Sequence, residues 1–361
     1  AQGDTVLQKS TVRTPPTMTT VGTTLTVAYM TTGKTVTSKY YNGTKWTNIG
    51  NFTVADSVIA MRMTSNNSVA YLAVLTKANK LYVYKSTGGT STWAAVGPAI
   101  NGATSVNVTY NTDNNNPVVT YAKANHPYFS YWTDSTWSEQ IIDSVNTARD
   151  VNGIFTSSKI FLVTFTDNTY LYNTYSAIYN FSYTNLIAPA LINREMGSVS
   201  LATNGNTLYM GYINRSSVVG MSGPYVRKGT VSQSGISWEA NSEKNLQEAM
   251  LPTNIRVASF NGKIYAIIDD NGRGFSHCHA YFYDGVSWKP YGENQLPYFK
   301  GTFQTAHGYN LYGFAPEIAV STNGMVYISM ISWVSSGATS ENNGPIFMKN
   351  ISESWTVNTK P

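Results

Sequence analysis

The sequence is short of cysteine, of charge and of long apolar runs, and each shortage excludes something. A single cysteine, Cys278, rules out an intrachain disulfide. Charged residues make up only 12%, about half the quarter typical of globular domains. No stretch of 18 apolar residues occurs, which excludes a helical membrane span. The net charge of +5 comes from 24 basic residues scattered with no run of four. A nucleic-acid surface concentrates its basic residues in a patch or stripe, so a nucleic-acid partner is not expected. A weak positive field suits an anionic glycan better. No segment sustains a helical hydrophobic period.

What replaces the missing charge is Thr, Ser, Asn, Gly and 26 tyrosines. With 42% hydrophobic and 13% aromatic residues, this is no disordered chain. The composition suits short strands and tight turns with hydrogen-bonding surfaces. It also suits a secreted protein. Seven Asn-x-Ser/Thr sequons, at Asn42, Asn51, Asn66, Asn107, Asn180, Asn214 and Asn350, permit glycosylation. The start at Ala1-Gln2 is what a processed mature chain would show.

One tryptophan recurs after a short turn. It ends Tyr41-Asn42-Gly43-Thr44-Lys45-Trp46 and returns at Trp93, Trp137, Trp238, Trp288 and Trp355, with one occurrence missing near residue 186. The recurrence defines seven units, approximately 15–50, 51–100, 101–142, 143–191, 192–245, 246–292 and 293–361. Each reads as four short strands bounded by Asn/Gly turns, the second apolar on both faces. Four antiparallel strands per unit at this period predict an all-β, seven-bladed β-propeller in one domain. Packing blades around an axis covers both faces of every sheet and leaves short edges. Residues 1–14 precede the first unit. Thr5–Ser10 is a candidate closing strand for the outer edge of the last blade.

The aromatic strand followed by Tyr-Asn/Asp-Gly-x-x-Trp, with Phe314–Tyr327 as another repeat opening, resembles secreted propeller proteins over residues 15–361. Such proteins include propeller lectins, sialidases and polysaccharide lyases, so the resemblance implies a fold and a carbohydrate partner. The turn is similar to the sialidase Asp box but departs from it, since Asp284 and Gly285 are adjacent. No cluster of three arginines stands out in the sequence.

Candidate functional residues lie where the repeat is interrupted. Connections lengthen in units five to seven, and long connections in a compact fold carry function. They hold three of the four histidines. The candidate ligand-binding set is Asp269, Arg273, His277, His279, Tyr298, His307, Tyr309, Tyr312 and Trp333. Trp132, also outside the tryptophan register, is a candidate for an exposed role. The repeat tryptophans read first as packing of their own blade and second as sugar platforms.

His277 and His279 at strand spacing would share a face and, with Asp269 or His307, admit a transition metal. Asp269-Asp270-Asn271-Gly272 is a fragment of a calcium-loop pattern and reads more simply as a turn. The expectation is therefore no cofactor, and Cys278 as a core thiol.

The leading function is a lectin-like module binding a glycan on the face of the long connections. The alternative is a polysaccharide lyase acting on a uronate polymer. His279, His307 and Tyr309 would then supply base and acid, and Arg273 would neutralise the carboxylate. A protein-binding scaffold is the third reading. Only unit six carries the clustered histidines, which points to a single site.

Overall fold

The computed structural model describes residues 14–169, 172–215, 223–246, 252–270, 277–284, 286–290, 310–335, 340–351 and 354–357. Of residues 270, 277, 290, 310–315, 331–335, 340–351 and 354–357 it describes the backbone alone. These residues form seven antiparallel sheets that follow one another along the chain. Each is a four-stranded up-and-down meander, and two carry one extra short strand. The first strands are Thr17–Val21, Val58–Ser65, Asn107–Tyr110, Asp150–Phe155, Met196–Asn204, Pro252–Phe260 and Asn310–Val320. The fold is a β-propeller with four-stranded antiparallel blades.

The second strands explain the architecture. Val69–Thr76, Pro117–Lys123 and Ile160–Thr166 are buried along nearly their whole length, on both faces. A strand in that position needs a neighbouring sheet on each side. Apolar clusters supply it between sheets one and two, two and three, three and four, four and five, and five and six. Each fully buried Leu, Val or Phe contributes roughly 1.5–3 kcal/mol relative to exposure.

The last sheet meets the first. Met18, Leu25, Val27 and Tyr29 of sheet one pack with Ala319 and Tyr327 of sheet seven. The Thr20 hydroxyl donates to Val320 O at 2.8 Å, and Thr322 N donates to Gly22 O at 3.0 Å. The first strands pack on one another in chain order, and that of sheet seven packs on that of sheet one. Sheet seven builds its own fourth strand, Ser354–Val357, on Ser340–Ile351. The candidate closing strand Thr5–Ser10 lies outside the described residues.

The repeat tryptophans sit at or beside the outer strands, and two of them reach sideways. Trp46, Trp137 and Trp288 open the fourth strands of their sheets. The Trp93 indole donates to Ser38 Oγ at 2.8 Å, and the Trp137 indole to Val96 O at 3.2 Å, in each case in the preceding sheet. Trp93 and Trp137 are half-buried wedges between sheets, while Trp46 and Trp288 lie against Tyr41 and Tyr283 of their own sheets at 5.2 and 5.5 Å, the packing first expected. Trp132 pairs with Trp137, edge to face at 5.4 Å, so it packs too. In sheet four the missing tryptophan leaves Asn185 opposite Tyr179, and Leu186 and Ile187 fill the contact. The turns are held by side chains: Asn42 Oδ1 accepts from Thr44 N and Lys45 N, each at 3.0 Å, and Asp284 Oδ1 accepts from Val286 N and Ser287 N.

Gly97 marks how tightly the wedge fits. Its φ is +69°, and an added Cβ would lie 2.7 Å from Trp132 Cη2 and 3.1 Å from Trp137 Nε1. Gly43, with φ +100°, has open space around that point. Gly97→Ala is expected to cost about 2–4 kcal/mol, combining left-handed strain with overpacking, while Gly43→Ala costs about 1–2 kcal/mol from strain alone. Thermal or denaturant unfolding of the two variants measures the difference, and equal losses would contradict the wedge.

Candidate functional site: the central channel

The first strands share a register that the tryptophans do not reveal. In every sheet one residue lies four positions before the pair that closes the first turn. Those residues are Thr17, Arg62, Asn107, Asn152, Ser200, Arg256 and Glu317, paired with Ala28, Ala73, Thr120, Thr164, Gly211, Ile267 and Ser329. The first four are spaced 45 residues apart. All seven are polar. Six of them line a cavity of about 680 Å³ at the centre of the molecule; the seventh, Thr17, is buried. Period-two alternation explains the pattern: the neighbours Met61, Val108, Val151, Ile255 and Val257 are apolar and buried.

The ring is wired together by hydrogen bonds. Asn107 Nδ2 donates to Asn152 Oδ1 at 2.7 Å, joining sheets three and four. Val257 N donates to Ser200 Oγ at 3.1 Å, and Ser198 Oγ donates to Asn254 Oδ1 at 2.6 Å, joining sheets five and six. Arg256 Nη1 donates to the same Asn254 oxygen at 2.7 Å and to Ile255 O at 3.0 Å. Arg256 Nε donates to Glu317 Oε1 at 3.1 Å, and Arg62 Nη1 lies 3.4 Å from that oxygen. Glu317 of sheet seven therefore reaches both sheet six and sheet two, past sheet one. Burial lowers the pKa of Arg62; Glu317 opposes that shift and Arg256 adds to it.

In a meander the first strand begins at the end of the channel where the second strand finishes. Arg149, just before the first strand of sheet four, and Arg215, just after the second strand of sheet five, mark that mouth. Arg149 lies over the Tyr172 ring at 5.1 Å and 3.4 Å from Asp150. Arg215 Nη2 donates to Thr253 O at 3.5 Å. Four arginines thus line the cavity among the described residues, against Asp150 and Glu317. The sequence, read linearly, shows no arginine cluster; the fold assembles one from four sheets.

The other candidate residues fall differently. Asp269 and Asp270 are the last residues of the strand Lys263–Asp270, so the calcium-like run begins in a strand where a turn was expected. Asp269 pairs with Cys278, and Ile268 with His279. Asp269 and His279 therefore project from opposite faces of sheet six and do not share a ligand. Cys278 is buried, as expected. His277 opens the strand His277–Tyr283. Tyr312 and Trp333 are paired across the first two strands of sheet seven. Arg273, Tyr298, His307 and Tyr309 lie outside the described residues. Among the described residues no group of three His, Cys, Asp or Glu is placed to hold a metal ion.

Solved structures similar to this chain include lectins, a polysaccharide lyase and an alpha-l-arabinofuranosidase. A lectin from Burkholderia pseudomallei, BP39L, matches with a TM-score of 0.65 at 9% identity, covering 99% of this chain and 98% of that one. The SapL1 lectin in complex with alpha methyl fucoside matches with a TM-score of 0.54 at 13% identity, over 78% of this chain and 96% of that one. A PL25 ulvan lyase bound to -[GlcA(1-4)Rha3S]- matches with a TM-score of 0.51 at 9% identity, over 82% and 90%. At these identities the likeness is one of fold. No protein-family model matches the chain, and no curated protein sequence matches it.

Removing the shared carboxylate would leave two guanidiniums facing each other. Glu317→Gln is expected to lower stability by about 1–3 kcal/mol at low ionic strength, the range for a hydrogen bond to a charged group, with part of the loss restored by salt. Unfolding at two salt concentrations measures this. A salt-independent loss, or none, would contradict the electrostatic role.

Proposed function

We propose that this chain is a secreted, seven-bladed propeller that binds a glycan at the channel mouth. The observation that carries the reading is the concave, arginine-lined cavity opening at the end where the long connections of sheets five to seven begin and end. A pocket with convergent polar groups at a rigid rim is the kind of site that fixes a small hydroxylated ligand. The seven first strands that pack in succession support seven blades. The similarity to propeller lectins supports a carbohydrate partner at the level of fold, and the Thr, Ser and Asn composition supports secretion. Arg273, Tyr298, His307 and Tyr309 belong to those connections in the sequence and would add donors and aromatic faces around the mouth. Tyr312 and Trp333 sit on strands ending beside them. Asp269 and His279, on opposite faces, would take part separately.

A second reading, a uronate lyase, is favoured by one arrangement: Arg149 against Tyr172 at the mouth. A guanidinium can neutralise a uronate carboxylate while a tyrosine moves the proton next to it. In that reaction the ring proton leaves, the bond to the leaving sugar oxygen breaks, a carbon–carbon double bond forms and the oxygen takes up a proton. The product absorbs near about 235 nm, so the readout is direct.

An array of neutral and acidic glycans probed with the whole protein tests the first reading. Binding of at least one glycan class, weakened about tenfold or more by Arg215→Ala, is expected, the scale of one lost charge-assisted hydrogen bond. No binding across the array would reject it. Growth of the ultraviolet absorbance on a uronate polymer would favour the lyase.

A further inference from the structure

The arginines in the channel are not matched by carboxylates. Arg62 and Arg256 share one oxygen of Glu317, so the middle of the channel holds two cations to one anion. Their side chains are 28% and 17% exposed, and that of Glu317 is 15% exposed, so bulk water screens them only in part. The donor count points the same way. Arg62 uses Nη1 toward Met61 O and Glu317, and Arg256 uses Nε and Nη1. Nε and Nη2 of Arg62 and Nη2 of Arg256 make no hydrogen bond among the described residues. Guanidinium donors in a fixed fork match the oxygens of a carboxylate or a sulfate ester. Around them the cavity offers Asn107, Asn152, Ser198 and Ser200, which suit sugar hydroxyls.

Resting on the reading of this channel as a glycan site, we infer that its ligand is acidic. The carboxylate or sulfate of one sugar residue sits against Arg62 and Arg256 and supplies the second negative charge. Arg149 and Arg215 at the mouth draw the anion in. The bore is a single cavity on the propeller axis, so one acidic residue enters per chain, presented from the end of a glycan. Sites repeated between blades would instead bind several copies.

Titration calorimetry with trigalacturonate, its methyl ester and a sulfated trisaccharide that has no uronate tests this. The expected result is a stoichiometry of one, with affinity falling as salt rises. The methyl ester should bind at least about tenfold more weakly than the acid, and Arg62→Gln should lose a similar factor. Arg62→Gln keeps the Arg256–Glu317 pair, so its unfolding midpoint checks that the variant is folded. Arg149→Gln with Arg215→Gln, both at the mouth, should weaken binding and flatten its salt dependence. Tight binding of the sulfated sugar in place of the uronate would support the site and assign the anion as sulfate. The inference is overturned by equal affinity for acid and ester, by an unchanged affinity in folded Arg62→Gln, by several equivalent sites, or by failure of all the acidic probes to bind. A neutral glycan bound on the array in any of those cases would keep the lectin reading while removing this one.

Discussion

Glu317 is the residue on which the inside of this molecule depends. Two guanidiniums, from sheets two and six, converge on one of its oxygens at 3.4 and 3.1 Å. Without that carboxylate, two cations with little access to bulk water would face each other across a narrow bore, and neither could leave, because each sits in the middle of a paired first strand. With it, three sheets are tied through a single atom. Asn254 extends the network to Ser198 of sheet five, so hydrogen bonds run through sheets five, six and seven and an ion pair carries on to sheet two. The wiring is polar because the first strands have one face toward a channel and one toward the apolar layer between sheets.

That division of faces separates stability from chemistry. Burial between sheets is carried by the second strands and by the tryptophan wedges at the outer strands. Nothing in those layers is free to change without a packing cost, as Gly97 against Trp132 illustrates. The channel ring is held by polar contacts instead: it carries Thr, Arg, Asn, Asn, Ser, Arg and Glu at one register, and Arg62, Arg256 and Glu317 depend on one another.

The repeat of strands and turns was legible in the sequence because its signals are local: apolar second strands, Asn and Asp turns, and a tryptophan at a fixed offset. The channel was not, because its members share a register and not an identity. Their signal was present all the same, in the 45-residue spacing of Thr17, Arg62, Asn107 and Asn152, each at the polar phase of its strand. The tryptophan count drew attention to the outer strands, which is the wrong edge of each sheet for finding the axis. Which candidates of sheet six share a face was not legible for a related reason. Asp269 and His279 are close in sequence, yet the pairing of Asp269 with Cys278 and of Ile268 with His279 puts them on opposite faces. A one-residue offset across a hairpin decides which residues can meet, and composition does not reveal it.

The account rests on Glu317 coupling sheets two and seven across the channel. A double-mutant cycle on Arg62→Gln and Glu317→Gln, read by equilibrium unfolding, measures that coupling without reference to any ligand. A coupling of about 1 kcal/mol or more, shrinking as salt is added, is the result this structure predicts. Additivity within about 0.3 kcal/mol would mean that the two side chains do not meet.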